Sequence, residues 1–145
     1  RKRGVISGLP FVVCCVRATA ARCRAVRTVD EFLASDPAVN QMLELTAIQM
    51  ELMTGLRTTE RKESMLQWFA PIVRLPFEVS WWKQAWNLAA RLRREGITPT
   101  AADCLIATVA INHQAVLIHC DAAFESMKPV VPLLTLDWTL HLSRR

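Results

Sequence analysis

The chain has 145 residues, 52% of them hydrophobic and 21% charged. That excludes a disordered chain and fits one globular domain with a substantial core. The net charge of +5 is uneven: residues 1–28 hold seven Lys/Arg and no acid, while residues 29–145 hold eleven Lys/Arg and all thirteen acids, a split of +7 and −2. The average basicity therefore gives no reason for the body to bind nucleic acid.

The opening segment, RKRGVISGLPFVVCCVRATAARCRAVRT, has the outline of a signal peptide. Arg1–Arg3 would be the basic region, residues 4–16 the apolar region, and Ala18-Thr19-Ala20 a small-residue cleavage site. Its apolar stretch of 13 residues is short of the roughly 20 that a membrane span needs. The five cysteines, at 14, 15, 23, 104 and 120, form no CxxC. They fit a reduced, cytoplasmic chain without a disulfide framework.

Helix signals become regular from residue 28. Thr28-Val29-Asp30-Glu31 is a capping box, and its helix stops near Pro37. Thr46-Ala47-Ile48-Gln49 is a second box; its helix carries Glu51 and ends at Gly55. A third helix runs from Thr59 to Phe69 and is broken by Pro71. Residues 72–77 read as an extended edge segment because Pro76 interrupts them.

Ser80 is placed to cap a long helix that runs to Glu95, with Gly96 just beyond. Its expected apolar stripe is Trp82, Ala85, Trp86, Ala89 and Leu92. Thr100 to Asp103 is a capping box for Cys104–Ile111, which is apolar nearly all round and predicted to be buried. Residues 115–119 (AVLIH) read as a buried strand, 122–127 as a turn of helix, and 130–136 as a last strand before the tail 138–145. Short, continuously apolar strands alternating with helices predict an α/β fold with a parallel sheet flanked by helices. In such sheets, polar groups converge where the strands end.

Three acids have apolar surroundings: Glu51 in AIQMELMTGL, Asp103 in TAADCLIATVA, and Asp121 directly after AVLIHC. A buried carboxylate must be paired, protonated or bound to a cation, and several together repel unless a cation lies between them. Oxygen ligands of this kind suit Mg²⁺ or Mn²⁺. Each acid also has an ordinary structural reading. Asp103 completes a capping box, Asp121 suits a turn, and Glu51 can face solvent.

Taken in order, M-E-L-x-x-G at 50–55, R-R-E-G-I-x-x-x-x-A-D-C-L-I-A-T at 93–108 and L-I-H-C-D-A-A-F at 117–124 resemble PIN domains. The resemblance is to the VapC-type ribonuclease toxins of bacterial toxin–antitoxin pairs, and it spans residues 28–137. It implies a three-layer α/β fold with a short central parallel sheet, and Mg²⁺-dependent endonucleolytic hydrolysis of RNA. It also implies an antitoxin partner and a homodimer. Glu51, Asp103 and Asp121 match the family's acids, catalytic residues that hold the metal; Thr98 and Thr100 fall where a hydroxyl near the site is common, with Thr100 as the supporting one, and Glu44 matches some members. Ala123 departs from many members, which have an acid there. Metal ions so held would activate a water and stabilise phosphoryl charge.

The family pattern also begins with an aliphatic strand that ends in a metal-binding aspartate. Residues 1–28 contain no acid, and the first, Asp30, lies in a capping box. Residues 1–27 thus stand as an atypical segment where the first strand is expected, and cleavage near Ala20 would remove that strand. Their Arg, Cys and Val excess matches out-of-frame translation of GC-rich DNA, which the gene's other two frames test. Loss of this ligand implies the alternative of an impaired PIN fold that acts by binding an antitoxin or a second protomer.

Other features are weaker. The spacing of His113, His119 and Cys120 is not a zinc pattern. Trp81, Trp82 and Trp86 with Lys83 suit RNA base stacking or, for Trp82 and Trp86, packing on a helix or dimer face. Arg91, Arg93 and Arg94 suit a solvated helix face.

Overall fold

The computed structural model describes residues 11–14, 42–44, 53–54, 56–70, 73–74 and 76–139. Among the described residues, five short strands form one parallel sheet: β1 (Phe11–Cys14), β2 (Met42–Glu44), β3 (Val73–Arg74), β4 (Val116–His119) and β5 (Leu134–Asp137). Their order is β3-β2-β1-β4-β5, so β1 is central. Among the described residues, the helices beside the sheet include α1 (Thr59–Phe69), α2 (Trp81–Arg94), α3 (Ala101–Asn112) and α4 (Ala122–Met127). This is the expected α/β architecture, a small parallel sheet flanked by helices.

Part of the basic opening segment is therefore the strand at the middle of the sheet. Phe11 to Cys14 pair residue for residue with Val116 to His119, and Phe11 and Val12 pair with Met42 and Leu43. The capping boxes expected at Thr28 and Thr46, and Glu51, lie outside the described residues.

The core forms where α3 meets β4. Every residue of β4 is buried, as are residues 103–110 of α3. A helix apolar on all sides has no solvent face to offer, so it is enclosed. Leu92 of α2 and Phe124 and Met127 of α4 complete this core, each fully buried. Burial of this kind contributes roughly 1.5–3 kcal/mol per large side chain.

The stripe of α2 differs from expectation. Trp81, Ala85 and Leu92 are buried, while Trp82 and Trp86 face outward. Two apolar rows one residue apart compete here, and the row 81, 85, 88, 92 faces the core. Ser80 does not cap this helix with its side chain. Its backbone is already helical (φ −60°, ψ −24°), and the amides of Trp81 and Trp82 bond to the carbonyls of Glu78 and Val79. The last strand also starts later than residue 130. The amides of Val130 and Val131 both bond to Met127 O, closing α4 in a turn, and Pro132 has no amide to offer a ladder.

Two helices end in the same six-residue motif. After α2, Ile97 N donates to Leu92 O (2.9 Å) and Gly96 N to Arg93 O (3.1 Å), with Gly96 at φ +77°. After α3, Ala115 N donates to Ala110 O (2.9 Å) and Gln114 N to Ile111 O (3.1 Å), with Gln114 at φ +52°. Glycine enters the left-handed region without a Cβ clash, whereas glutamine pays roughly 1–2 kcal/mol there. Gln114→Gly is expected to stabilise the fold by about 0.5–1 kcal/mol after glycine's extra chain entropy is subtracted. Urea unfolding checks it; a destabilised variant would contradict this reading of the turn.

Candidate functional site

Two of the three candidate acids, Asp103 and Asp121, lie toward one edge of the sheet through topology. Only residues 113–115 separate α3 from β4, so the two elements run antiparallel. The start of α3, with Asp103, then lies toward the carboxyl end of β4, where Asp121 follows. The end of β1 lies at the same edge, with Cys14 in register with His119.

Asp103 is buried, and its carboxylate is committed to the helix start. Its Oδ2 accepts from Thr100 N at 2.9 Å, and Thr100 Oγ1 accepts from Asp103 N at 3.1 Å. This is the predicted capping box, favoured also by the positive end of the helix dipole. Thr100, expected as a supporting hydroxyl, uses that hydroxyl as the cap. Beside it, burial raises the Cys104 thiol pKa; Asp103 adds to the rise and Arg93 opposes it.

Asp121 caps α4. Its Oδ1 accepts from Ala123 N at 2.9 Å, and its own amide donates to His119 Nδ1 at 3.2 Å. An amide can only donate, so Nδ1 accepts and Nε2 carries the ring proton. His119, fully buried, passes that proton's hydrogen bond to Glu125 Oε1 at 3.0 Å.

Glu125 was not legible as a site residue. It gathers donors from three elements: His119 of β4, Thr135 Oγ1 of β5, and Lys128 Nζ at 3.0 Å just after α4. Burial pushes its carboxyl up, yet the hydrogen bonds from Thr135, Lys128 and His119 together win and bring it down to about 2. Its neighbours in chain order give one clue, the spacing of three to Lys128; the partners on β4 and β5 are visible only in the fold. Next to it, Asp137 lies below its ordinary value because Thr139 hydrogen-bonds it, against a smaller rise from burial. The amide of Trp138 reaches His119 O at 2.7 Å and extends the β5–β4 pairing.

A family model described as PIN domain matches residues 16–128. The chain belongs to the PIN domain family. The match begins two residues beyond the end of β1 at Cys14. Several solved structures share the PIN fold of this chain. A chain of VapBC2 from Rickettsia felis, bound to a DNA fragment from their promoter, superposes with a TM-score of 0.69 at 19% identity, over 90% of this chain and 99% of that one. VapBC-1 from nontypeable Haemophilus influenzae gives 0.69 at 17% identity, over 90% and 99%. VapBC-5 from Mycobacterium tuberculosis, a member of the VapBC family of toxin–antitoxin systems, gives 0.65 at 18% identity, over 90% and 99%. At these identities the likeness is one of fold. No curated protein matches the chain.

PIN domains imply a divalent metal at the acidic edge. The described residues of this one do not make such a site. Among them, no three of His, Cys, Asp and Glu come together in a group able to hold a metal ion. Asp103 and Asp121 each give one oxygen to a helix start. Glu51 lies outside the described residues, and the side chain of Glu44 on β2 is likewise not described.

The Glu125 cluster has a pH signature. A carboxyl lowered from 4.5 to about 2 contributes stability that is full above its unfolded value and is lost as pH falls toward the folded one. The difference in urea midpoint between wild type and Glu125→Gln is therefore expected to be constant above about pH 4.5 and to shrink between about pH 4.5 and 2. A difference that stays the same across that range would contradict the charge network.

Proposed function

We propose that this PIN domain acts by binding a protein partner, a cognate antitoxin or a second copy of itself, in the cytoplasm, and that its metal-dependent RNA hydrolysis is impaired. One observation carries the reading. The central strand β1 ends in Cys14, in register with His119, and residues 1–28 hold no carboxylate. The family pattern has a metal-binding aspartate at this strand end. A thiol is a soft ligand, poorly matched to Mg²⁺, which prefers oxygen. Asp103 and Asp121, meanwhile, have structural work that requires no metal. The similarity of the fold to VapBC structures, one from a named toxin–antitoxin family, supports an antitoxin as partner.

The second reading is an active Mg²⁺-dependent endoribonuclease, with Glu51, Asp103 and Asp121 as catalytic metal ligands and Thr100 supporting. The burial of Asp103 at the sheet's carboxyl edge favours it, since a buried acid at that edge is where such chemistry would sit. An RNA-cleavage assay separates the two. Purified chain is incubated with RNA and Mg²⁺, with and without EDTA, beside Asp103→Asn. Impairment predicts no cleavage that both EDTA and Asp103→Asn remove. Chelator-sensitive cleavage lost in Asp103→Asn would establish the nuclease and defeat the impaired reading.

A further inference from the structure

The outward face of α2 has features that packing does not explain. Trp82 and Trp86 lie one turn apart and are 52% and 62% exposed. With Ala90 and Arg94 they form one i, i+4 ridge, and Lys83 and Arg93 lie beside it. The helix carries Lys83, Arg91, Arg93 and Arg94 and no acid. Among the described residues, no ion pair involves any of the four. Val79, 83% exposed, extends the apolar surface before the helix. Trp82 is also braced, its ring meeting Phe77 edge-on at 5.3 Å. Bracing reduces the side-chain freedom lost on binding.

Exposed tryptophan next to arginine is the composition of interface hot spots, and a row at helical spacing suits a partner helix. We propose that this ridge docks an acidic amphipathic helical segment of a protein partner. Apolar residues of that segment cover Trp82 and Trp86, and its carboxylates face Lys83, Arg93 and Arg94. Charge complementarity selects the occupant. A second copy of α2 would set these cations against their own kind. RNA would also meet the cations, but the exposed Val79 beside Trp82 and Trp86 extends the surface with an aliphatic group that the apolar face of a helix covers and a polyanion does not. The proposal rests on the partner-binding reading and names the surface and the chemistry it recognises.

A fluorescein-labelled amphipathic helical peptide, with leucines on one face and glutamates on the other, is titrated into the full chain and followed by anisotropy. Its counterpart has lysine in place of each glutamate. The acidic peptide is expected to bind and the basic one not. Trp86→Ala and Lys83→Glu are each expected to weaken binding by about tenfold, with unchanged thermal melting because both positions are exposed. No binding, equal binding of both peptides, or full affinity in both variants would overturn the proposal. So would an oligouridylate that binds the same ridge and is lost in Trp86→Ala. The RNA-cleavage assay reads the function independently. Failure of the peptide without chelator-sensitive cleavage removes only this surface, whereas such cleavage removes the reading beneath it.

Discussion

β4 has neighbours on both edges and helices over it, so all four of its residues are buried and all four pair with β1 and with β5. Parallel strands cannot be joined by a tight turn, so a helix must return the chain to the sheet's starting edge. Here α3 makes that return. It is apolar nearly all round, and its only buried acid is occupied in its own capping box. An unpaired carboxylate at that depth would cost several kcal/mol. The Thr100–Asp103 box removes that cost and starts the helix at once. The strand, the helix and the acid thus form one unit, and the candidate site is the edge of that unit.

The same economy governs the next turn of chain. Asp121 caps α4, its amide fixes the tautomer of His119, and His119 donates to Glu125. Glu125 then links β4, α4 and β5 through three donors. The carboxyl edge of this PIN domain is in this way held by its own hydrogen bonds. Asp103 and Asp121, which the family resemblance would give to a metal, each hold a helix start with one carboxylate oxygen, and the strand between them and β2 ends in cysteine.

Local signals made the right half of the sheet readable. The Thr100 box, the enclosed helix after it, the strand at 116–119 and the helix at 122–127 each depend on neighbours within a few residues. Gly96 was readable too, since a left-handed helix end favours glycine; Gln114 in the same conformation gives no such sign. The face of α2 is not legible locally because Trp81 and Trp82 each start an apolar row; the row of Trp82 ends at Arg94, that of Trp81 stays apolar to Leu92, and packing selects the latter. Glu125 shows only its local partner Lys128 in the sequence, because the other two, His119 and Thr135, come from separate strands. The strand at 11–14 was obscured by the basic, acid-free run around it, although its four residues pair in register with β4 as a central strand should.

The central claim is that the end of β1 lacks a ligand that a divalent ion needs. Calorimetric titration of Mn²⁺ into the full chain and into Cys14→Asp tests it most directly. The account predicts weak or undetectable binding to the wild type and tighter binding once the acid is supplied. Tight binding to the wild type that Asp103→Asn abolishes would contradict it.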